Sequence, residues 1–307
     1  MATMIASPQF NAGSRPRWTA VPTLAGAAAL FLAALAGAVA PTAAEPPRRV
    51  VSTNLCTDQL AMMIARPEQI ASLSRLARNA ELSDMAEAAQ AFPINDGHAE
   101  ELVPLAPDLV LAGIYTARST VSILRRLGYR VEEFAPPRSF ADIRTDILRM
   151  GDLLGRPGRA AALVADFDAR LAAARGPLAV GALPVAVIYH VGNRAEGRGT
   201  LADDVLAMAG WRNLATELGI ENSGTLPLEL LVMKHPDAVL VGTAEAEWTT
   251  PAQPNHAHPV FEALAGKARL AVMPDRWSLC GSLGVIDAVR RMVDERRRVA
   301  TSEGMVR

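Results

Sequence analysis

The sequence predicts an α/β protein of two three-layer, Rossmann-like lobes joined by one long helix, with a ligand cleft between the lobes. Three observations predict it. Apolar strand-like runs alternate with helical patterns along the chain. The alternation is interrupted once, by a stretch that reads as helix alone. One motif occurs on both sides of that interruption: "EELVPLAPDLVLAG" (Glu100 to Gly113) and "ELLVMKHPDAVLVG" (Glu229 to Gly242) both spell E-x-L-V-x-x-x-P-D-x-V-L-x-G.

The fold is expected to begin after residues 1–44. Arg15 and Arg17 precede an alanine-rich apolar run, Val21 to Ala40, and small residues follow at Thr42 to Ala44. That is the pattern of a cleaved export signal. The run is long enough to span a bilayer, but Pro22, Gly26, Gly37 and the many weakly apolar alanines argue for cleavage over anchoring. No cysteine follows it, so a bacterial lipoprotein anchor is not expected. The mature chain is predicted to be soluble, exported and periplasmic.

Of 31 basic and 32 acidic residues in the 307-residue chain, two arginines and no acids fall in the signal. The mature part therefore carries a net charge near −3, with two lysines, Lys234 and Lys267, and scattered arginines. No basic stripe exists, so nucleic acid is not an expected partner.

The first lobe is expected over residues 45–138. "RVVST" (Arg49 to Thr53) reads as a strand, followed by a helix through Leu60, Met63 and Ile64. "QIASLS" is the next strand, with a helix near Glu81 to Gln90. "PDLVLAG" is the third, followed by a helix from Ser119 to Leu127 that Gly128 stops, and "YRVEEF" is the fourth. Continuous apolar strands separated by helices imply a parallel sheet covered on both faces.

Residues 139–178 should be linking helices. One runs from Ser139 to about Leu154, where "GRPG" breaks it, and a second from Pro157 to about Arg175, with proline in its first turn. Ala160, Val164, Phe167, Leu171 and Ala174 form one apolar stripe at helical spacing. Its nineteen residues make a rod of about 28 Å, long enough to reach from one lobe to the other.

The second lobe, residues 179–307, resumes the alternation. "PVAVIYHVG" (Pro184 to Gly192) is a strand, and a helix from Leu201 to Ala209 ends at Gly210. The second copy of the motif follows, then "RLAVMP" (Arg269 to Pro274) and a last helix from about Leu283 to Arg298. With caps at Gly97 and Leu226, Glu100 and Glu229 would both be the third residue of a short helix. Pro104 should keep the first of these helices short. An acidic side chain at a helix start favours the positive end of the helix dipole. Two at the same spacing, one per lobe, also suit paired anchors on a common surface.

The chain resembles the periplasmic substrate-binding proteins of ABC importers for cobalamin, iron-siderophores and haem, the class whose two lobes are joined by a single helix. The resemblance is carried by "RVVSTNLCTDQLAMMI", "EELVPLAPDLVLAG", the joining helix, "GTLADDVLAMAGWRNLA" and "ARLAVMPDRWSLCG", and covers nearly all of the mature chain. It implies a monomer that binds a small organometallic ligand, an iron complex or a corrinoid, and delivers it to an inner-membrane permease dimer. It implies no intrinsic cofactor and no catalytic step. One glutamate from each lobe would dock on the permease, and these map to Glu100 and Glu229. Glu101 is the neighbour most easily confused with Glu100.

Ligand contacts are expected where strands end and side chains meet the gap between lobes. The first lobe offers Asn54, Cys56, Arg75, Arg78 and Tyr115, and the second offers Tyr189, His190, Asn193, Trp248 and Trp277. Aromatic residues make up only 5% of the chain, so their presence at strand ends is informative. Flat macrocycles and catecholates bind well against aromatic faces, and the arginines suit ligand carboxylates. Tyr189 and Trp277 are equally readable as packing residues, and the arginines as solvated side chains.

Cys56 and Cys280 are the two cysteines. They are readable as small buried side chains, as a disulfide locking the lobes across the cleft, or with one of them as an axial haem ligand. His256 and His258 are one residue apart, with no acidic or thiol partner nearby in sequence.

Two other functions compete. A secreted hydrolase or oxidoreductase lacks support: "CGSLG" has Cys280 where a nucleophile elbow needs glycine, and "GRGTLA" lacks the third glycine of a dinucleotide site. A zinc or manganese receptor of the related helix-linked class needs several histidines and carboxylates converging in the cleft, and only His190 is well placed.

Overall fold

The computed structural model describes residues 45–116, 118–176, 182–190, 192–242, 264 and 268–306. Residues 1–44, Trp248, His256 and His258 lie outside them. Glu45–Arg307 is one compact unit. No described helix is long and apolar enough to cross a membrane.

Five strands build the first sheet: β1 (Val50–Ser52), β2 (Ile70–Ser74), β3 (Ile94–Asn95), β4 (Leu109–Gly113) and β5 (Val131–Phe134). All pair in parallel, in the order β3-β2-β1-β4-β5. The central strands β1 and β4 are buried at every residue, which is why they read as continuous apolar runs. Helices α1 (Leu55–Ile64), α2 (Ala99–Leu102) and α3 (Arg118–Arg126) complete the first lobe.

The helix expected near Glu81 to Gln90 is absent, and only a 3-10 turn at Ala88–Ala91 forms. Side chains have taken the backbone partners that a helix would use. Asn79 Oδ1 accepts from the amides of Glu81 and Leu82, and Arg78 donates to the carbonyls of Ala89 and Phe92.

Helices α4 (Phe140–Leu153) and α5 (Pro157–Ala174) join the two lobes. Ser139 caps α4 by accepting from the Asp142 amide, and Pro157 opens α5. The buried stripe of α5 is Ala160, Leu163, Phe167, Leu171 and Ala174. These side chains belong to one apolar cluster that runs unbroken from Val50 in β1 to Ile188, Leu240 and Val293 of the second lobe. The lobes therefore share a core through the joining helices.

The second sheet contains β6 (Val185–His190), β7 (Arg194–Glu196), β8 (Arg212–Asn213), β9 (Ser223–Thr225), β10 (Ala238–Gly242) and β11 (Arg269–Met273). Its order is β11-β10-β6-β7-β9, with β8 also pairing β6. Strands β11, β10, β6 and β8 are parallel, but β7 runs antiparallel to both β6 and β9, so this sheet is mixed. Gly192 and Asn193, with φ of 74° and 59°, turn the chain straight back after β6. Consecutive left-handed residues make the tight hairpin turns that suit twisted strands. Helices α6 (Leu201–Met208), α7 (Leu214–Glu217), α8 (Leu228–Lys234) and α9 (Val285–Val306) surround the sheet. The last helix begins two residues later and runs eight residues further than its sequence pattern predicts.

Candidate functional site

The repeated motif is the same structural unit in both lobes. Leu102 and Leu231 are fully buried, Pro107 and Pro236 are buried, and Ala106 and His235 both adopt a left-handed backbone, φ 43° and 47°. Each Pro-Asp then fastens the first strand of its own lobe. Asp108 accepts from the amides of Arg48 and Arg49 at 2.7 and 3.0 Å, and Asp237 from the amide of Val185 at 2.7 Å. The closing glycines admit a neighbour that a side chain would exclude. A Cβ on Gly113 would lie 2.7 Å from Asn54 Nδ2, and one on Gly242 would lie 2.4 Å from Asp275 Oδ1.

At the head of each unit the helix starts one residue later than the sequence pattern predicts. The caps are His98 and Pro227, so Glu100 and Glu229 are both the second helical residue. The equivalence survives because both starts shift together. As expected, Pro104 limits α2 to four residues before a 3-10 turn. Both glutamates are exposed, and neither makes a hydrogen bond or ion pair with another described residue. Glu101 differs: its Oε2 accepts from the Asp96 amide at 2.8 Å and caps the turn before α2. Strand β3 precedes α2, and β9, which runs parallel to β6, precedes α8. Each glutamate thus leaves the carboxyl edge of its sheet, where parallel-sheet proteins place ligands.

A cavity of about 280 Å³ lies where the lobes meet. Pro136, Pro137 and Arg138, just past β5, form one wall. Ile188 and His190 of β6, Glu196, Leu201, Asp275, Ser278 and Leu279 form the other. Its lining mixes apolar side chains with a few polar and charged ones, the usual make-up of a small-molecule pocket. His190 Nε2 lies 3.7 Å from Glu196 Oε1. Arg138 bridges the lobes, donating from Nε to the Gly199 carbonyl at 2.9 Å and from its NH2 group to Asn222 Oδ1. Among the described residues, no three His, Cys, Asp or Glu side chains converge as a metal site.

Of the side chains predicted to face the cleft, the structure brings His190 to this cavity. Arg75 and Tyr115 stand at the carboxyl edge of the first sheet. Tyr115 is 79% exposed, and Arg75 pairs with Asp96 at 3.4 Å. Trp277 is half-buried against the shared core, beside the guanidinium of Arg276. Trp248 lies outside the described residues.

Five other candidates have different roles. Tyr189 is 1% exposed, because strand alternation sends it to the face opposite His190. There it packs with Leu226 and Leu231 in a second-lobe cluster, and its hydroxyl lies 3.0 Å from both Asn193 Oδ1 and the Leu226 carbonyl. Burial, and secondarily the Glu229 charge, push its pKa up to about 12. Asn193 is the left-handed turn residue that receives that hydroxyl. Asn54 caps α1, accepting from the Cys56 amide at 3.0 Å. Arg78 is occupied by loop carbonyls. Cys56 is disulfide-bonded to Cys280, so its sulfur is not free to ligate a haem iron.

Sequence reasoning missed Arg138, Glu196, Asp275 and Leu279. The signal available for Asp275 was its place directly after β11, the same strand-end rule that identified His190.

A family model described as periplasmic binding protein matches residues 50–264. A cobalamin-binding protein of Halobacterium salinarum is 27% identical over 202 residues, covering 64% of this chain and 54% of that protein. The chain thus spans about half the length of the relatives it matches. Among solved structures, the periplasmic vitamin B12 binding protein BtuF of Vibrio cholerae superposes with a TM-score of 0.64 at 15% identity, covering 83% of this chain and 98% of that one. The periplasmic haem-binding protein RhuT from Roseiflexus sp. RS-1 superposes with a TM-score of 0.66 at 23% identity, covering 82% and 99%. At these identities the shared property is the fold.

Proposed function

Because the chain belongs to the periplasmic binding protein family, we propose that it is the substrate-binding component of an ABC importer, exported by a signal within residues 1–44. It takes an iron complex or a corrinoid between its lobes, residues 45–138 and 179–307, and carries it to the permease as a monomer. The observation that carries this reading is the pair of exposed, unpaired glutamates. Glu100 and Glu229 occupy the same helical position in two copies of one unit, each at the carboxyl edge of its own sheet. Carboxylates placed like this set association rate and docking register more than ligand affinity.

A planar chelate also suits the exposed apolar side chains that follow strands in the two lobes. Tyr115 and Leu76 of the first lobe and Leu279 of the second are exposed apolar side chains at strand ends, and Arg75 adds a cation for a ligand carboxylate. The described cavity is at the small end of ligand pockets, about 300–1,000 Å³. A macrocycle would therefore extend beyond the cavity, with His190 in the lining beneath it. The cobalamin-binding relative favours a corrinoid as the first ligand to test.

Titration of the mature chain with cyanocobalamin, hemin and a ferric siderophore, read by absorbance and by intrinsic tryptophan quenching, tests the proposal. Saturable binding of one of them is expected. Indifference to all three overturns the ligand class.

A further inference from the structure

Ten residues between β11 and α9, Asp275 to Gly284, leave the second sheet, cross to the first lobe and return. On the way out, Asp275, Ser278 and Leu279 line the cavity. At the crossing, Cys280 is disulfide-bonded to Cys56 at the first turn of α1, with the two Cα atoms 4.8 Å apart. Ser282 Oγ donates to Asp84 Oδ2 at 2.6 Å, and Arg276 Nε lies 3.7 Å from Asp84 Oδ1. Gly281, with φ 54°, passes so close to the start of the joining helices that a Cβ there would lie 2.5 Å from Pro137 Cγ and 2.8 Å from Ile143 Cγ1. One segment is therefore both a wall of the cavity and an attachment to three separate parts of the first lobe.

We propose that Asp275–Gly284 is a strap whose bond to Cys56 sets the width of the cleft, so that the ligand site is held preformed rather than closed by a hinge. The inference rests on reading this cavity as the ligand site. Two bodies joined by one connection retain rotation about it, and a second covalent link removes most of that freedom. The joining helices are the first link here and the disulfide is the second. A preformed site binds without an ordering cost at each encounter. The Asp84 contacts keep the strap seated between the bridge and α9, so the cavity wall and the bridge move as one piece.

The test is hydrogen exchange on the ligand-free mature chain in three states: oxidised, reduced with a phosphine, and as the Cys56→Ser/Cys280→Ser variant. The expected result is that backbone amides of 275–284 and 54–60 exchange at least about tenfold faster without the bridge, while those of β1, β4 and β10 do not change. Affinity for whichever of cyanocobalamin or hemin binds the oxidised chain should fall by several-fold. Unchanged exchange in 275–284 overturns the proposal, because packing alone would then hold the strap. Loss of the far-ultraviolet dichroism on reduction also overturns it, since the bridge would be a global staple. Exchange is read without ligand, so failure of the strap is distinguishable from a wrong ligand class.

Discussion

Asp108 and Asp237 perform the same task in the two lobes: each follows a buried proline and accepts backbone amides at the entry of its lobe's first strand. The Pro-Asp of the repeat is thus an internal fastening, while the glutamate that heads it faces water. One short motif combines an internal fastening with an exposed carboxylate.

Replacing Asp108 or Asp237 with alanine should cost about 1.5–3 kcal/mol in each case, the worth of hydrogen bonds to a charged acceptor. Urea unfolding of the mature chain measures it. An effect below about 0.5 kcal/mol in both, the range of ordinary surface substitutions, would show that the fastening is incidental.

Changing Glu100 and Glu229 together to alanine should leave ligand affinity within a few-fold and abolish transport in reconstituted vesicles. Glu101→Ala is the control with the opposite signature, because its carboxylate caps a turn. That variant should lose stability and retain transport. A double variant that loses ligand binding instead would sink the docking assignment.

Removing the Cys56–Cys280 bridge should destabilise the mature chain by about 2–5 kcal/mol, since it closes a very long loop in the unfolded ensemble. Denaturant midpoints of the oxidised and reduced protein give the value. Coincident midpoints would refute it.

Gln59 is buried one turn after Cys56, and neither polar atom of its side-chain amide has a hydrogen-bond partner. Such a group costs about 1–3 kcal/mol relative to an apolar replacement of similar shape. Gln59→Leu should therefore raise the thermal midpoint, and a lowered midpoint would show that the amide is satisfied in solution.

Asp58 is buried beneath β2, where its carboxylate accepts from the amide and hydroxyl of Ser74 at 3.0 and 2.5 Å. Desolvation outweighs those bonds and raises its pKa to about 6. A carboxyl whose folded-state pKa is raised contributes stability that is complete below the unfolded value and is lost as pH climbs through the folded one. Wild type should therefore lose stability relative to Asp58→Asn between about pH 4 and about pH 7, by at most about 3 kcal/mol. A difference independent of pH over that window would contradict this.

Part of the candidate site is legible because strand ends are legible, and of the predicted cleft residues that the structure describes His190 is the one that lines the cavity. Recognising β6 gives His190, and aligning the repeat gives Glu100 and Glu229 their matching exposed positions at two helix starts. Tyr189 was misplaced because a strand's period of two separates adjacent residues onto opposite faces, and "IYH" does not say which residue faces the cleft. Arg78 was misplaced because its partners are the carbonyls of a loop that the sequence pattern read as a helix. The hairpin after β6 rests on Gly192, the last residue of the run that reads as a strand, and on Asn193 just after it.

By itself the sequence determined the layered α/β class, the two-fold repetition and the helical connection, because apolar periodicity records burial one element at a time. Which distant parts meet was decided only in three dimensions. Cys56 and Cys280 are separated by 224 residues, and Asp84 finds Ser282 from the opposite lobe. No local pattern encodes those pairings. They follow from how two finished sheets settle against a shared core, and that arrangement brings the second lobe's strap to the first.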